Sequence, residues 1–194
     1  MNRKLVSVVV SLLAVLAFFV GIWLIGRLIN PSLDLDETAL LRFVFVGVGL
    51  LIVFVVYLVT KTSGIWEVGT RQVVYMAVGA ALYAIFSYLF NGTVFVVPSV
   101  SQVALRPAIA IPMFFGFAFG PVVGFFTGAV GNMFGDALTG FGLSPQWSVG
   151  NGLIGFVAGL VFLFKDRKKS MDTVLIISGL LALLAVGIYF LNRA

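Results

Sequence analysis

The chain has 194 residues, of which 61% are hydrophobic and 10% are charged. Soluble domains are usually about half apolar and a quarter charged, so this composition excludes an ordinary soluble protein and predicts an integral membrane protein. The absence of cysteine and histidine excludes disulfides, thiolate chemistry, histidine metal ligands and histidine general bases. The formal net charge of +5 comes from basic residues in short loops, which indicates membrane topology rather than nucleic-acid binding.

Apolar stretches recur along the whole chain, and several reach the length of about 20 residues that crosses a bilayer as a helix. We therefore predict an all-α fold, a polytopic transmembrane helix bundle of about seven helices. The first stretch is long for the apolar region of a signal peptide and lacks a clear cleavage site, so we interpret it as an uncleaved helix. The predicted spans are residues 5–26, 42–60, 72–90, 106–119, 121–140, 149–164 and 173–192.

Lysine and arginine residues in short loops mark the cytoplasmic side of a membrane protein. They precede the first span at Arg3 and Lys4, flank the second connection at Lys61 and Arg71, and are densest at residues 165–169. With seven spans, all three places lie on one side. We therefore predict a multi-pass protein of the plasma membrane with a cytoplasmic N-terminus. The first connection lies outside and carries acidic residues, although two arginines flank it: Asp34, Asp36, Glu37, Arg27 and Arg42.

A stripe of small and polar residues runs along the fifth predicted span. Gly120, Gly124, Gly128, Asn132 and Asp136 recur every four residues, so they share one side of a helix. Polar groups in hydrocarbon are costly unless they are paired or face a cavity. For the glycines, close packing against another helix is the favoured interpretation. We interpret Asn132 and Asp136 as candidate substrate-binding residues, with hydrogen bonding across helices as the alternative.

Three further residues are candidates for the same site. Trp147 and Asn151 lie four residues apart, so both can face one side of the sixth span. With Asn132 and Asp136 they would offer an aromatic wall beside amide and carboxylate groups, which suits a small, flat, polar ligand. Trp147 is equally typical of an anchor at headgroup depth. Arg106 could bind a ligand anion, pair with Asp136 or extend to lipid headgroups.

The third predicted span and the connection that follows it carry two other signals. Four alanines form overlapping small-xxx-small pairs, which indicates a flat face for another helix in this chain or in a partner. Residues 91–105, NGTVFVVPSVSQVAL, are apolar for an exposed loop. Such a segment is typical of a lid over a ligand or of a re-entrant or interfacial segment. The four alanines are Ala77, Ala80, Ala81 and Ala84.

Motifs of common enzyme classes are missing from the chain. It contains no GxxxxGK[ST] phosphate loop, no HExxH and no GxSxG. One intramembrane carboxylate without a second catalytic group is a poor basis for hydrolysis, so an enzyme with Asp136 as base is disfavoured. We predict no enzyme activity, no catalytic residue, no metal and no cofactor. A transport protein that binds a small molecule and a membrane scaffold or assembly subunit without a ligand both remain.

Part of the chain resembles the substrate-binding S components of energy-coupling factor (ECF) vitamin transporters, and most of all the riboflavin-type superfamily. The most specific phrase is FGPVVGFFTGAVGNMFGD followed by WSVGNG. The similarity covers about residues 70–165. The three stretches that carry it are VVYMAVGAALYAIFSYL, RPAIAIPMFFGFAFGPVVGFFTGAVGNMFGDALTGFG and WSVGNGLIGFVAGLV.

This resemblance implies a membrane subunit that captures a vitamin-like molecule outside the cell. Its implied partners are a transmembrane coupling subunit and two cytoplasmic ATPase subunits, besides membrane lipid and not nucleic acid. In such families, alanines of the first core helix dock on the coupling subunit, which corresponds to the four alanines above. The following outer loop closes over the ligand, which corresponds to residues 91–105. Later helices contact the ligand, which corresponds to Asn132, Asp136, Trp147 and Asn151.

The resemblance also divides the chain into two parts. Residues 1–66 hold two extra N-terminal spans, and residues 67–194 form the core that resembles an S component. The family usually has six core helices, whereas five spans follow residue 70 here. Either the N-terminal pair compensates for the sixth helix, or the protein is a divergent member with altered coupling or an altered pocket.

Overall fold

The computed structural model describes residues 37–90, 106–140 and 144–191, together with isolated positions before residue 37. Within these ranges every regular element is a helix, so the predicted all-α bundle is confirmed. Three short 3₁₀ turns accompany the α-helices, at Gly64–Trp66, Pro107–Ile109 and Leu160–Phe162. The six α-helices are α1 (Glu37–Thr60), α2 (Thr70–Tyr88), α3 (Ala110–Phe119), α4 (Pro121–Thr139), α5 (Pro145–Gly159) and α6 (Arg167–Leu191).

The helices α1 to α6 correspond to the second to seventh predicted spans, with shifted bounds. Helix α5 begins at Pro145 rather than at residue 149, because proline fits the first helical turn, where its missing N–H is no loss. Helix α6 begins at Arg167, within the basic cluster. A carboxylate oxygen of Asp166 accepts the backbone N–H of Lys168 at 2.9 Å, which caps this helix start. The predicted span 5–26 and the segment 91–105, interpreted as a lid or as a re-entrant or interfacial segment, lie outside the described ranges.

The chain turns sharply between α3 and α4. Gly120 has a φ of 108°, a conformation that glycine adopts without steric cost. Pro121 follows at the first position of α4, where its fixed φ favours helix initiation. This turn folds α3 back against α4 and lets both helices contact α5.

Two sets of glycines on α4 allow two neighbouring helices to approach closely. Gly124 and Gly128 face the α5 backbone: a Cβ atom on Gly124 would collide with the Gly155 carbonyl, and one on Gly128 would lie 2.8 Å from the Gly152 nitrogen. Gly131 instead faces α2, where an added Cβ atom would lie 2.8 Å from the Tyr83 Cβ atom. Helix α4 is therefore the centre of the bundle, with α5 on one side and α2 on the other.

The outer helices have the surfaces expected of a membrane protein. The segments Arg42–Thr60 and Arg167–Leu191 are long and apolar enough to cross a membrane, with mean hydropathies of 2.8 and 2.7, and Pro107–Phe119 is a shorter apolar helix. Along α6 the sole buried residue is Ser170. A helix that exposes apolar side chains on all sides is suited to a lipid surrounding.

The close contact between α4 and α5 can be tested with one methyl group. We expect Gly128→Ala to destabilise the protein by roughly 1–3 kcal/mol, the usual cost of overpacking. The matched control is Gly187→Ala on α6, where an added Cβ atom meets nothing within 4 Å. Alanine is the better helix former, so the control should be neutral or slightly stabilising. The measurement is thermal unfolding in detergent, and equal melting temperatures for the two variants would contradict the packing described here.

Candidate functional site

A buried polar network connects α2, α4 and α5, with Asn132 at its centre. The Asn132 side-chain N–H₂ group donates to a carboxylate oxygen of Asp136 at 2.8 Å and to the Ser148 hydroxyl at 3.2 Å. Its carbonyl oxygen accepts from the Asn151 amide at 2.6 Å and from the Tyr83 hydroxyl at 3.5 Å. Asn132 is only 3% exposed. One amide thus joins side chains from three helices.

The hydrogen-bonding capacity of Asn132 is fully used. An asparagine side chain has two N–H donors and a carbonyl oxygen with two lone pairs, and each of the four has a protein partner. Ser148 is oriented by donating its own hydroxyl to the Ser144 carbonyl at 3.2 Å. Asn132 therefore organises its neighbours and has no hydrogen-bonding capacity left for another molecule.

The neighbours of Asn132 retain polar atoms that Asn132 does not use. Asp136 is 8% exposed, and within the described part of the chain only one of its two carboxylate oxygens accepts a hydrogen bond. Asn151 is half-buried and donates one of its N–H groups to Asn132, and no described residue donates to its side-chain carbonyl oxygen. Carboxylates and amides left in this state can bind hydroxyl, amide or imide groups of a small molecule.

Trp147 and Arg106 lie together but outside the network. The Arg106 guanidinium lies 5.7 Å from the centre of the Trp147 ring, which is within the range of a cation–π contact. Trp147 is 57% exposed, and Arg106 is exposed as well. The pair thus combines an open aromatic face with a positive charge near the network.

Two members of the network, Tyr83 and Ser148, were not among the predicted site residues. Tyr83 is 4% exposed and Ser148 is fully buried. Ser148 lies three residues before Asn151, a spacing that puts both on one side of a helix, so its position was a usable signal. Tyr83 lies among the alanines of α2, and its sequence context gave no sign that it would reach α4.

A groove of about 600 Å³ lies between α2 and α4. Ala80 and Ala84 are buried at its base, whereas Ala77 and Ala81 are exposed. The α4 residues that line it are Phe126, Val130, Phe134, Ala137 and Leu138, and α2 adds Ile85 to the four alanines. The groove is thus an apolar surface whose base is made of small side chains. No group of three acidic side chains that could hold a metal ion occurs in the described part of the chain.

Comparison with known proteins agrees with this architecture. A family model described as the S component of an ECF-type riboflavin transporter matches residues 67–194. The chain belongs to this S-component family. The match includes α2 to α6 and begins after α1, and it confirms the resemblance found in the sequence. S components are membrane-embedded substrate-binding subunits of transporters and are not an enzyme family.

Curated relatives of this S component carry the name UPF0397 protein. One from Vibrio atlanticus is 39% identical over 90 residues, which are 46% of this chain and 47% of the relative. One from Aliivibrio salmonicida is 33% identical over 102 residues, 53% of this chain and 54% of the relative. One from Aliivibrio fischeri is 34% identical over 105 residues, 54% and 55% of the two chains. The S component thus spans about half the length of these relatives. No solved structure matches it.

The central role of Asn132 predicts a graded effect of substitutions. Asn132→Ala leaves several buried polar groups without a partner, each at a cost of about 1–3 kcal/mol. Asn151→Ala removes a single bond at the half-buried edge, so we expect a loss of about 1 kcal/mol. Unfolding of the two S-component variants in detergent measures the difference. Equal stability losses would show that Asn132 is an ordinary member of the network.

Proposed function

We propose that this S component captures riboflavin, or a vitamin closely related to it, from outside the cell for ATP-driven uptake. The observation that carries the proposal is the buried network: Asn132 is saturated by the protein, whereas Asp136 and Asn151 each keep a polar atom that no described residue bonds. A site of this kind is preorganised, because the groups that face a ligand are held by partners behind them. The proposed site lies in the outer halves of α4 and α5.

In this proposal each site residue has a separate role. Asp136 and Asn151 accept hydrogen bonds from hydroxyl or imide groups of the vitamin, and Asn132 holds both in position. Trp147 offers a face on which a flat ring stacks, and Arg106, which contacts that ring at 5.7 Å, attracts electron-rich or anionic parts of the ligand.

Transport requires a coupling subunit, and we propose that it docks in the groove between α2 and α4. The groove has an apolar lining and a base of alanines, which admits a helix at close range. The proposed assembly includes this membrane subunit and two cytoplasmic ATPase subunits. By the positive-inside rule, the basic residues at and just before the start of α6, within Lys165 to Lys169, then lie on the cytoplasmic side. The S component is then a plasma-membrane protein with a cytoplasmic N-terminus.

A membrane scaffold that binds no small molecule is the second candidate. It is favoured by the saturation of Asn132, since a self-contained network can serve helix association alone. The two candidates differ at Asp136. A scaffold needs only the one bond that Asp136 makes to Asn132, whereas a binding site also uses the second carboxylate oxygen.

Titration with riboflavin separates the two candidates. Asp136→Asn keeps an oxygen that can accept the Asn132 N–H but removes the negative charge, so the fold should persist. Hydrogen bonds to charged groups contribute about 1.5–3 kcal/mol, and we therefore expect a Kd for riboflavin about 10- to 100-fold higher. The control is Asp172→Asn, a change at an exposed aspartate of α6. If the parent and both variants bind riboflavin equally, the proposed site is wrong. If the parent does not bind riboflavin, the proposed function is wrong.

Docking in the groove is tested with the exposed alanines rather than the buried ones. Ala81→Leu adds bulk to the groove without disturbing the packing of α2 on α4, so it should reduce co-purification with the coupling subunit and leave riboflavin binding unchanged. Ala182→Leu, on the exposed surface of α6, is the matched control. Unchanged uptake and co-purification with Ala81→Leu would exclude the groove as the docking surface.

A further inference from the structure

Helix α1 lies outside the family match, which begins at residue 67, yet it packs directly on α5. Val46 is fully buried and Leu50 is 7% exposed, and both form a core cluster with Val149 of α5. Phe125 and Leu153 pack against this cluster. The segment before residue 67 is therefore attached to the core through a specific apolar contact.

One position of α1 fits α5 with particular closeness. A Cβ atom on Gly49 would lie 2.5 Å from a γ-methyl of Val149 and 3.3 Å from a δ-methyl of Leu153. The Val149 side chain thus fills the space that Gly49 leaves. At Gly47, two residues away on the exposed side of α1, an added Cβ atom would meet nothing within 4 Å.

A second contact holds the other end of α1. The Tyr57 ring meets the Trp66 ring edge-on at a centroid distance of 5.2 Å, and Trp66 lies 5.8 Å from Phe156 of α5. The indole N–H of Trp66 donates to the Thr60 hydroxyl at 2.9 Å. Helix α1 is consequently held along α5 at two levels, which limits both the tilt and the rotation of α5.

The two faces of α5 serve different partners. Val149, Leu153 and Phe156 face α1 and the Trp66 ring, whereas Ser148 and Asn151 reach Asn132 on α4. On the α4 face, the glycines of α5 permit close approach, and side chains meet there as well: the Phe125 ring and the Ala129 methyl pack against Gly152, and Ser148 and Asn151 bond to Asn132. On the neighbouring face, Val149 fits against Gly49, and this contact adds a second constraint on the rotation of α5 about its axis.

We infer that α1 orients the polar network through α5. The contact between Gly49 and Val149 positions α5 so that Ser148 and Asn151 meet Asn132. Gly49 and Val149 are positioning residues, since they act through α5 and not on the ligand. The consequence for ligand affinity rests on the proposed function, whereas the consequence for α5 does not. Helix α1 contributes no residue to the lining of the groove between α2 and α4, so docking there should be independent of it.

The test compares the same substitution at two neighbouring glycines in the full chain. Gly49→Leu forces a side chain against Val149, and Gly47→Leu places it on the open side of α1. The first readout is amide hydrogen exchange of residues 145–152 without ligand, which reports local opening of α5. We expect Gly49→Leu to accelerate this exchange about tenfold, while Gly47→Leu stays within about twofold of the parent. The second readout is the Kd for riboflavin, which should rise about tenfold only in Gly49→Leu.

A rescue variant separates positioning from general damage. Adding Val149→Ala to Gly49→Leu removes the methyl groups that collide, so it should restore slow exchange at residues 145–152 and most of the riboflavin affinity. If Gly49→Leu does not fold, Gly49→Ala with and without Val149→Ala replaces it, because a single Cβ atom already reaches Val149.

Three results would overturn the inference. One is equal exchange at residues 145–152 in the Gly49 and Gly47 variants. Another is faster exchange throughout α2, α4 and α5 that Val149→Ala does not reverse. The third, where Gly49→Leu does not fold, is exchange in Gly49→Ala that equals the exchange of the parent. If the parent itself does not bind riboflavin, the proposed function fails, while the exchange pattern still decides the role of α1.

Discussion

The direct contact of the α4 and α5 backbones is the constraint on which the rest of the molecule depends. Gly124 lies against Gly155, and Gly128 lies against the Asn151 carbonyl, so no side chain separates the two helices. This spacing brings the Asn151 amide to 2.6 Å from Asn132 and buries the Asn132 side chain. A larger residue in place of Gly124 or Gly128 would push the two helices apart. The side chains of Asn132 and Asn151 would then be unpaired in an apolar surrounding, where each unpaired polar group costs free energy.

Helix α4 also keeps two surfaces apart. The row that ends in Asn132 and Asp136 faces α5, and the row with Gly131 and Gly135 faces α2. The polar network belongs mainly to the first side, and the alanine-based groove opens between α4 and α2. Tyr83 connects the two sides of α4: it belongs to α2, which borders the groove, and its hydroxyl donates a hydrogen bond to Asn132. This tyrosine is a physical link between the two surfaces.

Local spacing predicted what lies on one helix, and contacts between helices were harder to foresee. The four-residue spacing of Asn132 and Asp136 correctly indicated a shared stripe, whereas Trp147, four residues from Asn151, is exposed and contacts Arg106 instead. A spacing rule states which residues share a side of a helix, but it does not state which part of that side a neighbouring helix covers. Tyr83 could not be found for the same reason, and small-xxx-small pairs did not distinguish buried Ala80 from exposed Ala81. The packing of α1 on α5 joins residues about a hundred positions apart, which no local pattern encodes.

Native mass spectrometry of the full chain, purified in mild detergent beside Asp136→Asn, tests most directly whether the Asn132-centred network binds a vitamin. The parent should retain one small organic molecule with the mass of riboflavin or a close relative, and the variant should lose it while remaining folded. Parent and variant spectra that show the same adducts, or only phospholipid, would contradict vitamin binding and leave the network with a purely structural role.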